Sequence, residues 1–65
     1  MTNEEAKTAF FSHSPVVHRD ITYSRIKNII YWLDERNELH ITLKLVDKNN
    51  NNSFMNADIK DVLLL

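Results

Sequence analysis

The sequence has 65 residues, with eight Lys and Arg against nine Asp and Glu, and it contains neither cysteine nor glycine. A chain of this length holds one domain, residues 1–65, and buries only about 60% of the surface that its unfolded form exposes, so its stability is marginal. The nearly balanced charge excludes a strong overall attraction to nucleic acid or anionic lipid. Disulfides and thiolate metal sites are excluded by the lack of cysteine, which leaves self-association as the remaining route to extra stability.

The N-terminal segment, residues 2–12, predicts a short helix. Thr2 followed by Glu5 three positions later has the spacing of a capping box. Phe10 lies at helical spacing from the preceding alanines, and Phe11 lies beside it. Because so short a helix is unstable alone, we expect it to dock its phenylalanines on the rest of the chain.

The next stretch predicts extended chain, with one ambiguous segment. Val16–Arg19 has strand composition, Asp20 marks a turn, and Ile21–Tyr23 resumes a strand. Residues 24–33 fit two alternatives. Their apolar positions match an amphipathic helix, whereas their β-branched and aromatic content matches a strand. The strand is favoured, because a strictly alternating strand follows after the five-residue link 34–38.

Residues 39–45 alternate apolar and polar side chains without exception, the pattern of a strand with one buried face. Pairing with the preceding segment as a hairpin fixes a register, since partners in an antiparallel pair share a face. The predicted pairs are Leu33 with Leu39, Tyr31 with Ile41, Ile29 with Leu43, and Lys27 with Leu45.

The C-terminal third predicts further short elements. Asp47–Asn52 is a polar turn. With no glycine in the chain, the asparagines are expected to be the turn residues of the whole protein, at positions that need a positive φ. Ser53–Ala57 predicts another strand, and Asp58–Asp61 a single 3₁₀ turn capped by Asp58. Val62–Leu65 predicts a final strand or an apolar tail.

These elements predict a mainly β, α+β chain with about five antiparallel strands and an N-terminal helix, in which residues 16–65 resemble a small SH3-like barrel. The chain also resembles a group of short uncharacterised proteins of Gram-positive bacteria and their phages and mobile elements. The segments that carry this second resemblance are Ile21–Ile26, Ile29–Tyr31, Leu45–Asn49 and Ser53. The resemblance implies a genomic setting and a β-rich fold, and it supplies no catalytic residues.

The second face of the predicted hairpin is too apolar for a solvated surface. It is therefore expected to be covered by the helix, by a second copy of the chain, or by a partner. We predict a non-enzymatic protein-interaction module that self-associates as a homo-oligomer and acts by binding a host or partner protein. The resemblance to phage and mobile-element proteins implies that it modulates a host protein. The predicted interface residues are Phe10, Phe11, Ile26, Ile30, Trp32, His40 and Val46.

Binding of nucleic acid by an SH3-like domain is the alternative. Cations are interleaved with aromatic residues in the strand region, as in platforms that stack bases. Acidic residues in the same segment oppose phosphate binding. The candidate nucleic-acid residues are Arg19, Arg25, Lys27, Lys44 and Lys48.

Catalytic and metal chemistry find no support in the sequence. The spacings of His13, His18 and His40 match no compact metal motif, and a hydroxyl next to an imidazole in Ser12-His13-Ser14 is not the geometry that activates a serine. We therefore predict no catalytic residues, no metal site and no cofactor. The polar, acidic N-terminus has no secretory signal pattern and no apolar run is long enough to span a bilayer, so we expect a cytoplasmic protein without membrane contact.

Overall fold

A computed structural model describes residues 1–65 as one helix, five strands and a single 3₁₀ turn. Residues 24–33 lie entirely within strand β2, so the favoured strand interpretation is confirmed and the helical alternative is wrong. The elements in chain order are α1 (Asn3–Ser12), β1 (Val16–His18), β2 (Ile21–Leu33), β3 (Leu39–Asp47), β4 (Phe54–Asp58), the 3₁₀ turn (Ile59–Asp61) and β5 (Val62–Leu64).

The strands form one antiparallel sheet in the order β4-β3-β2-β1-β5. Strands β4 and β5 lie at opposite ends of this order and do not pair with each other, so the sheet is not closed. The prediction of a mainly β, α+β chain with an N-terminal helix and five antiparallel strands is confirmed. The closed barrel that was also predicted is not found.

Helix α1 begins with the predicted capping box. The Glu5 amide donates to the Thr2 hydroxyl, and the Thr2 amide donates to the Glu5 carboxylate at 2.8 Å. The hydrogen bond from the Thr2 backbone and the contact with its side chain lower the pKa of Glu5. At the other end, His13 adopts a left-handed conformation with φ 55°, which ends the helix.

The helix covers one side of the sheet, which we call the inner face. Ala6 and Ala9 are buried in the hydrophobic core, and Phe10 packs against it. The Tyr31 hydroxyl, from β2, donates to the Asn3 side chain at 2.6 Å. The buried core has ten members: Ala6, Ala9, Val16, Tyr23, Ile26, Leu43, Leu45, Ala57, Ile59 and Val62. Small alanines let the helix backbone approach the strands closely.

The β2–β3 register follows the prediction up to a bulge. The three pairs from the hairpin tip to Ile29 are as predicted, but the register then shifts between Ile26 and Asn28, and Ile26 pairs with Leu45. Lys27 is the extra residue, so its predicted pairing with Leu45 is wrong. The bulge turns Ile26 onto the inner face, where it is fully buried. Ile26 therefore cannot belong to the predicted interface.

Turns form without glycine by two mechanisms. In the tight β1–β2 turn, Arg19 and Asp20 both have positive φ values, 50° and 65°. In the β3–β4 turn the asparagines act through their side chains, as the Asn52 amide donates to the Asn50 side chain and the Asn49 amide donates to Asp47. The asparagines were expected at the positions of positive φ, but Asn37, in the β2–β3 turn, is the only one with a positive value (60°), so that prediction is wrong for the other turns. No signal in the sequence indicated the left-handed conformation of Arg19.

Candidate docking face

The side of the sheet away from α1, which we call the outer face, is not covered by any element of the chain. Its residues follow from cross-strand pairing, because directly opposite residues share a face. From the hairpin tip inward, its rows are Trp32 with His40; Ile30 with Thr42 and Asp58; Asn28 with Lys44 and Asn56; and Arg25 with Val46 and Phe54. The predicted possibility that α1 covers this face is wrong, since α1 packs on the opposite side.

Trp32 is held in one orientation at the distal end of the outer face. Its indole Nε1 donates to the Thr42 hydroxyl at 2.9 Å. Its ring stacks on the imidazole of His40, with centroids 4.5 Å apart and planes inclined by 21°. Even so, 46% of the residue remains exposed. The structure thus presents a fixed, half-open aromatic surface.

Asp34 connects this aromatic pair to the hairpin turn. One carboxylate oxygen lies 2.7 Å from His40 Nε2. The other accepts hydrogen bonds from the backbone amides of Arg36 and Glu38, at 2.8 and 3.0 Å. The contact with His40 and then the bond from the Glu38 amide lower the pKa of Asp34. The carboxylate therefore fixes both the loop and the imidazole that supports Trp32.

The exposed apolar surface of the outer face is smaller than the sequence predicted. Ile30 and Phe54 are each 41% exposed and, with Trp32, provide the accessible apolar area. Val46 lies on this face as predicted, but it is buried between its cross-strand neighbours Arg25 and Phe54. Its assignment to the interface is therefore corrected, because a covered side chain offers no contact area to a partner.

Basic side chains border the proximal end of the outer face. The ammonium groups of Lys27 and Lys44 lie 5.4 and 4.6 Å from the centre of the Phe54 ring, within the range of cation–π attraction. Arg25 is in the same row as Phe54. Three of the five predicted nucleic-acid residues therefore share one face. The other two do not lie in these rows: Arg19 is in the β1–β2 turn and Lys48 follows β3.

Phe10 and Phe11 do not join this surface. Phe10 packs against the core on the inner face, whereas Phe11 is 80% exposed near the end of α1. The two rings contact each other edge to face, with centroids 5.1 Å apart. The predicted interface thus divides: Ile30, Trp32 and His40 lie on the outer face, and the two phenylalanines lie on the helix.

Sequence reasoning missed two members of the site. Phe54 is the first residue of β4. Alternation along the strand assigns Phe54 to a face, but only when the position at which the strand begins is known. The role of Asp34 was also missed, because the β2–β3 link was treated as a simple polar turn. The predicted pair of Leu33 with Leu39 was the available signal, because it implies that Trp32 lies opposite His40 and that the acid at the end of the hairpin lies within reach of the imidazole.

The remaining histidines, acids and hydroxyls do not form a metal site. No three His, Cys, Asp or Glu side chains lie together in an arrangement that could hold a metal ion. The hydroxyls of Ser12 and Ser14 lie 2.6 Å apart and bond with each other at the end of α1. His18, in contrast, is buried on the inner face between strands β2 and β5. Neither α1 nor the 3₁₀ turn is long and apolar enough to cross a membrane.

Comparison of the chain with protein-family models, with curated proteins and with solved structures finds no match. The resemblance to short phage and Gram-positive proteins therefore stays a prediction. The function has to be argued from the geometry of the outer face.

Proposed function

We propose that this protein is a non-catalytic interaction module that binds a partner protein on the outer face, around Trp32. The observation that carries the proposal is a tryptophan that is fixed on two sides yet half exposed. Tryptophan is the residue most enriched at the energetic centres of protein interfaces. A side chain that is already ordered loses little rotamer freedom on binding, so its buried area is converted into affinity efficiently.

The surroundings of Trp32 support an interface with a polar rim. Thr42 and His40 border the indole on β3, and the charged turn residues Glu35, Arg36 and Glu38 lie beyond it. Such a rim excludes water from a central anchor and contributes specificity. The proposal includes an accessory role, in which a phage or mobile element uses the protein to modulate a host factor, on the strength of the resemblance stated above.

We also propose that the fold is of the SH3-like type. The sheet order with β1 between β2 and β5, a long β2 bent by two irregularities, and a one-turn 3₁₀ helix immediately before the last strand support this assignment. Small barrels of this type bind partners through surfaces rather than deep pockets, in keeping with a site built on an open sheet face.

Substitution of Trp32 by aspartate tests the protein-binding proposal. Because Trp32 lies outside the core, Trp32→Asp is expected to stay folded, with a circular dichroism spectrum like that of the wild type, and to lose binding of host proteins in affinity capture. Phe11→Asp is the matched control, as it removes an exposed aromatic residue from the helix and should leave capture unchanged. Loss of folding in Trp32→Asp, or equal capture by all three proteins, contradicts the proposal.

A second candidate function is binding of single-stranded nucleic acid. The observation that favours it is the placement of Arg25, Lys27 and Lys44 on the same face as Phe54, Ile30 and Trp32. Successive bases stack on aromatic rings while cations follow the phosphates. Asp58 on the same face and Asp34 at its distal end oppose such binding.

Titration of an unstructured oligonucleotide distinguishes the two functions. Trp32 is the only tryptophan, so its fluorescence reports directly on ligands at the outer face. Nucleic-acid binding predicts a fluorescence change that weakens steeply with salt and is lost in Lys27→Glu/Lys44→Glu. No change at low salt eliminates this candidate and leaves the protein partner.

A further inference from the structure

The two edges of the open sheet differ in how far their backbone groups are already bonded. At the β5 edge, the Val62 amide donates to the Ile59 carbonyl, and the Val62 carbonyl accepts a hydrogen bond from the Met1 ammonium at 2.9 Å. Because the bonding direction alternates along a strand, Leu64 is the one remaining residue of β5 whose backbone groups point outward. The β5 edge therefore offers no run of donors and acceptors to another strand.

The β4 edge, in contrast, is open. The Asp47 amide of β3 donates to the Ser53 carbonyl opposite it, at 2.9 Å. Since bonded and non-bonded pairs alternate along an antiparallel ladder, every second residue of β4, starting with Met55, bonds to β3. The residues between them point their backbone groups away from the sheet: Phe54, Asn56 and Asp58.

Strand β4 also lacks the features by which proteins usually block strand addition. It contains no proline and no lysine, and it pairs with β3 without a bulge. The only charged residue within β4 is Asp58, at its end. An open edge of this kind is a template for another strand.

We propose that two copies of the chain pair through their β4 edges, antiparallel, about a two-fold axis at Asn56. An axis perpendicular to the sheet reverses the strand direction and keeps the helix-covered inner faces on one side. The two Asn56 residues then exchange backbone hydrogen bonds with each other, and Phe54 lies opposite Asp58 of the second copy. Since each molecule has one open edge, the assembly ends at the dimer.

Charge complementarity on the outer face favours a second copy as the occupant. The ammonium groups of Lys27 and Lys44 lie over the Phe54 ring. In the proposed register, Asp58 of the second copy lies directly opposite Phe54 and brings a carboxylate to these two cations. The two-fold axis repeats this contact at the other end of the strand pair.

The inner face is completed by the same register. Met55 lies on the inner face beside Leu45 and is 37% exposed at the open edge. The proposed pairing places Met55 opposite Ala57 of the second copy, so that a large side chain meets a small one. Dimerisation therefore covers the exposed Met55 of both copies.

A single cysteine at position 56 tests the pairing directly. The chain contains no cysteine, so Asn56→Cys introduces the only thiol. Residues that exchange both hydrogen bonds across an antiparallel pair have Cα atoms about 5.5 Å apart, within the range that a disulfide spans. Under mild oxidation we expect Asn56→Cys to form a reducible dimer of twice the chain mass of 7.7 kDa.

Met55→Cys and Leu64→Cys are the matched controls. Met55 lies on the same strand but opposite Ala57 of the second copy, so two Met55 positions are too far apart for a disulfide. Leu64 lies on the other edge strand. Both control variants should stay single chains, and equal cross-linking of all three, or none in Asn56→Cys, overturns the proposal.

Proline substitution tests the hydrogen bonds across the axis. The Asn56 amide points away from β3, so Asn56→Pro removes no bond within the chain, and circular dichroism should show a folded protein. It removes both bonds that the two Asn56 amides donate across the axis, so the dissociation constant of the dimer, measured by light scattering, should rise about tenfold or more. Leu64→Pro removes the outward amide of the β5 edge and should leave that constant unchanged. A wild type that is monomeric at every concentration, or an equal effect of both prolines, overturns the proposal.

These measurements separate the edge pairing from the proposed function, because β3 separates Trp32 on β2 from the β4 edge. If the wild type is a monomer that still captures a partner through Trp32, only the edge pairing fails. If Asn56→Cys cross-links but no ligand depends on Trp32, only the outer-face binding proposal fails.

Discussion

At the hairpin tip, one carboxylate supports both the turn and the aromatic pair. Asp34 accepts two backbone hydrogen bonds that close the turn, and it contacts the imidazole on which Trp32 stacks. The bonded form is the ionised one, which is why the pKa of Asp34 lies below its usual value of 3.8. The order of the tip is thereby linked to pH.

The direction of this pH dependence follows from the lowered pKa of Asp34. A carboxyl group with a lower pKa in the folded state stabilises the fold above its unfolded pKa, and this stabilisation is lost as the pH falls through the folded pKa. We expect the free energy of unfolding to decrease on acidification from about pH 5 toward pH 2. Urea denaturation followed by Trp32 fluorescence measures it. Asp34→Asn should show a flatter acid dependence, and identical slopes for the two proteins would contradict this role.

In the β1–β2 turn, Arg19 and Asp20 both adopt left-handed conformations, although neither has the conformational freedom of glycine. Positive φ at both central positions is the geometry of a type I′ turn, for which Asn-Gly is the preferred sequence. Replacing Arg19-Asp20 by Asn-Gly should therefore stabilise the protein by about 1 kcal/mol, or roughly 4–8 °C in Tm for a domain of this size. Asn51→Gly is the control, because Asn51 has no positive φ and glycine there should not stabilise. Equal gains at both turns would show that backbone strain is not the cause.

At the scale of the elements, strand β2 explains why its sequence was ambiguous. Tyr23, Ile26 and Ile29 are three residues apart, a spacing typical of a helix, yet all three point to the inner face. The register shifts after Tyr23 and after Ile26 each insert one extra residue into β2 relative to β3. Because of the extra residue, side chains three positions apart in β2 lie on the same face of the sheet. The alternation of β3 predicted that strand correctly, because it contains no such irregularity.

A pair of isoleucines tests this account of the bulge. Ile26 and Ile30 are the same residue type in the same strand and were predicted to share a face, but Ile26 is fully buried and Ile30 is partly exposed. Ile26→Ala should lower the free energy of unfolding by about 2–5 kcal/mol, since it opens a cavity in the core. Ile30→Ala should cost less than about 1 kcal/mol. Urea denaturation of both variants decides the matter, and similar losses would mean that the bulge is misplaced.

At the scale of the whole molecule, the sequence predicted the elements better than their arrangement. The capping box, the alternation of β3 and the cross-strand pairs near the tip are local signals, and each predicted its feature correctly. Whether α1 covers the Trp32 side or the opposite side depends on the bulge at Lys27, which decides where Ile26 points. The candidate site was predicted in part, through Ile30, Trp32 and His40, because those residues lie distal to the bulge.

The stability of the molecule and its open surfaces are connected. Only twelve residues are buried, and many large apolar side chains remain exposed along β4, β5 and the hairpin tip. A domain this small gains little from its own core.

Acrylamide quenching of the single tryptophan tests the central claim, that the outer face is open, most directly. Trp32 of the native protein should be quenched to a substantial fraction of the extent seen in urea, at both low and high protein concentration, because the residue is 46% exposed and α1 packs on the other side of the sheet. Quenching close to zero at all concentrations would mean that an element of the chain covers Trp32. Quenching that disappears as the concentration rises would mean that copies associate through the outer face, and either result would contradict the account.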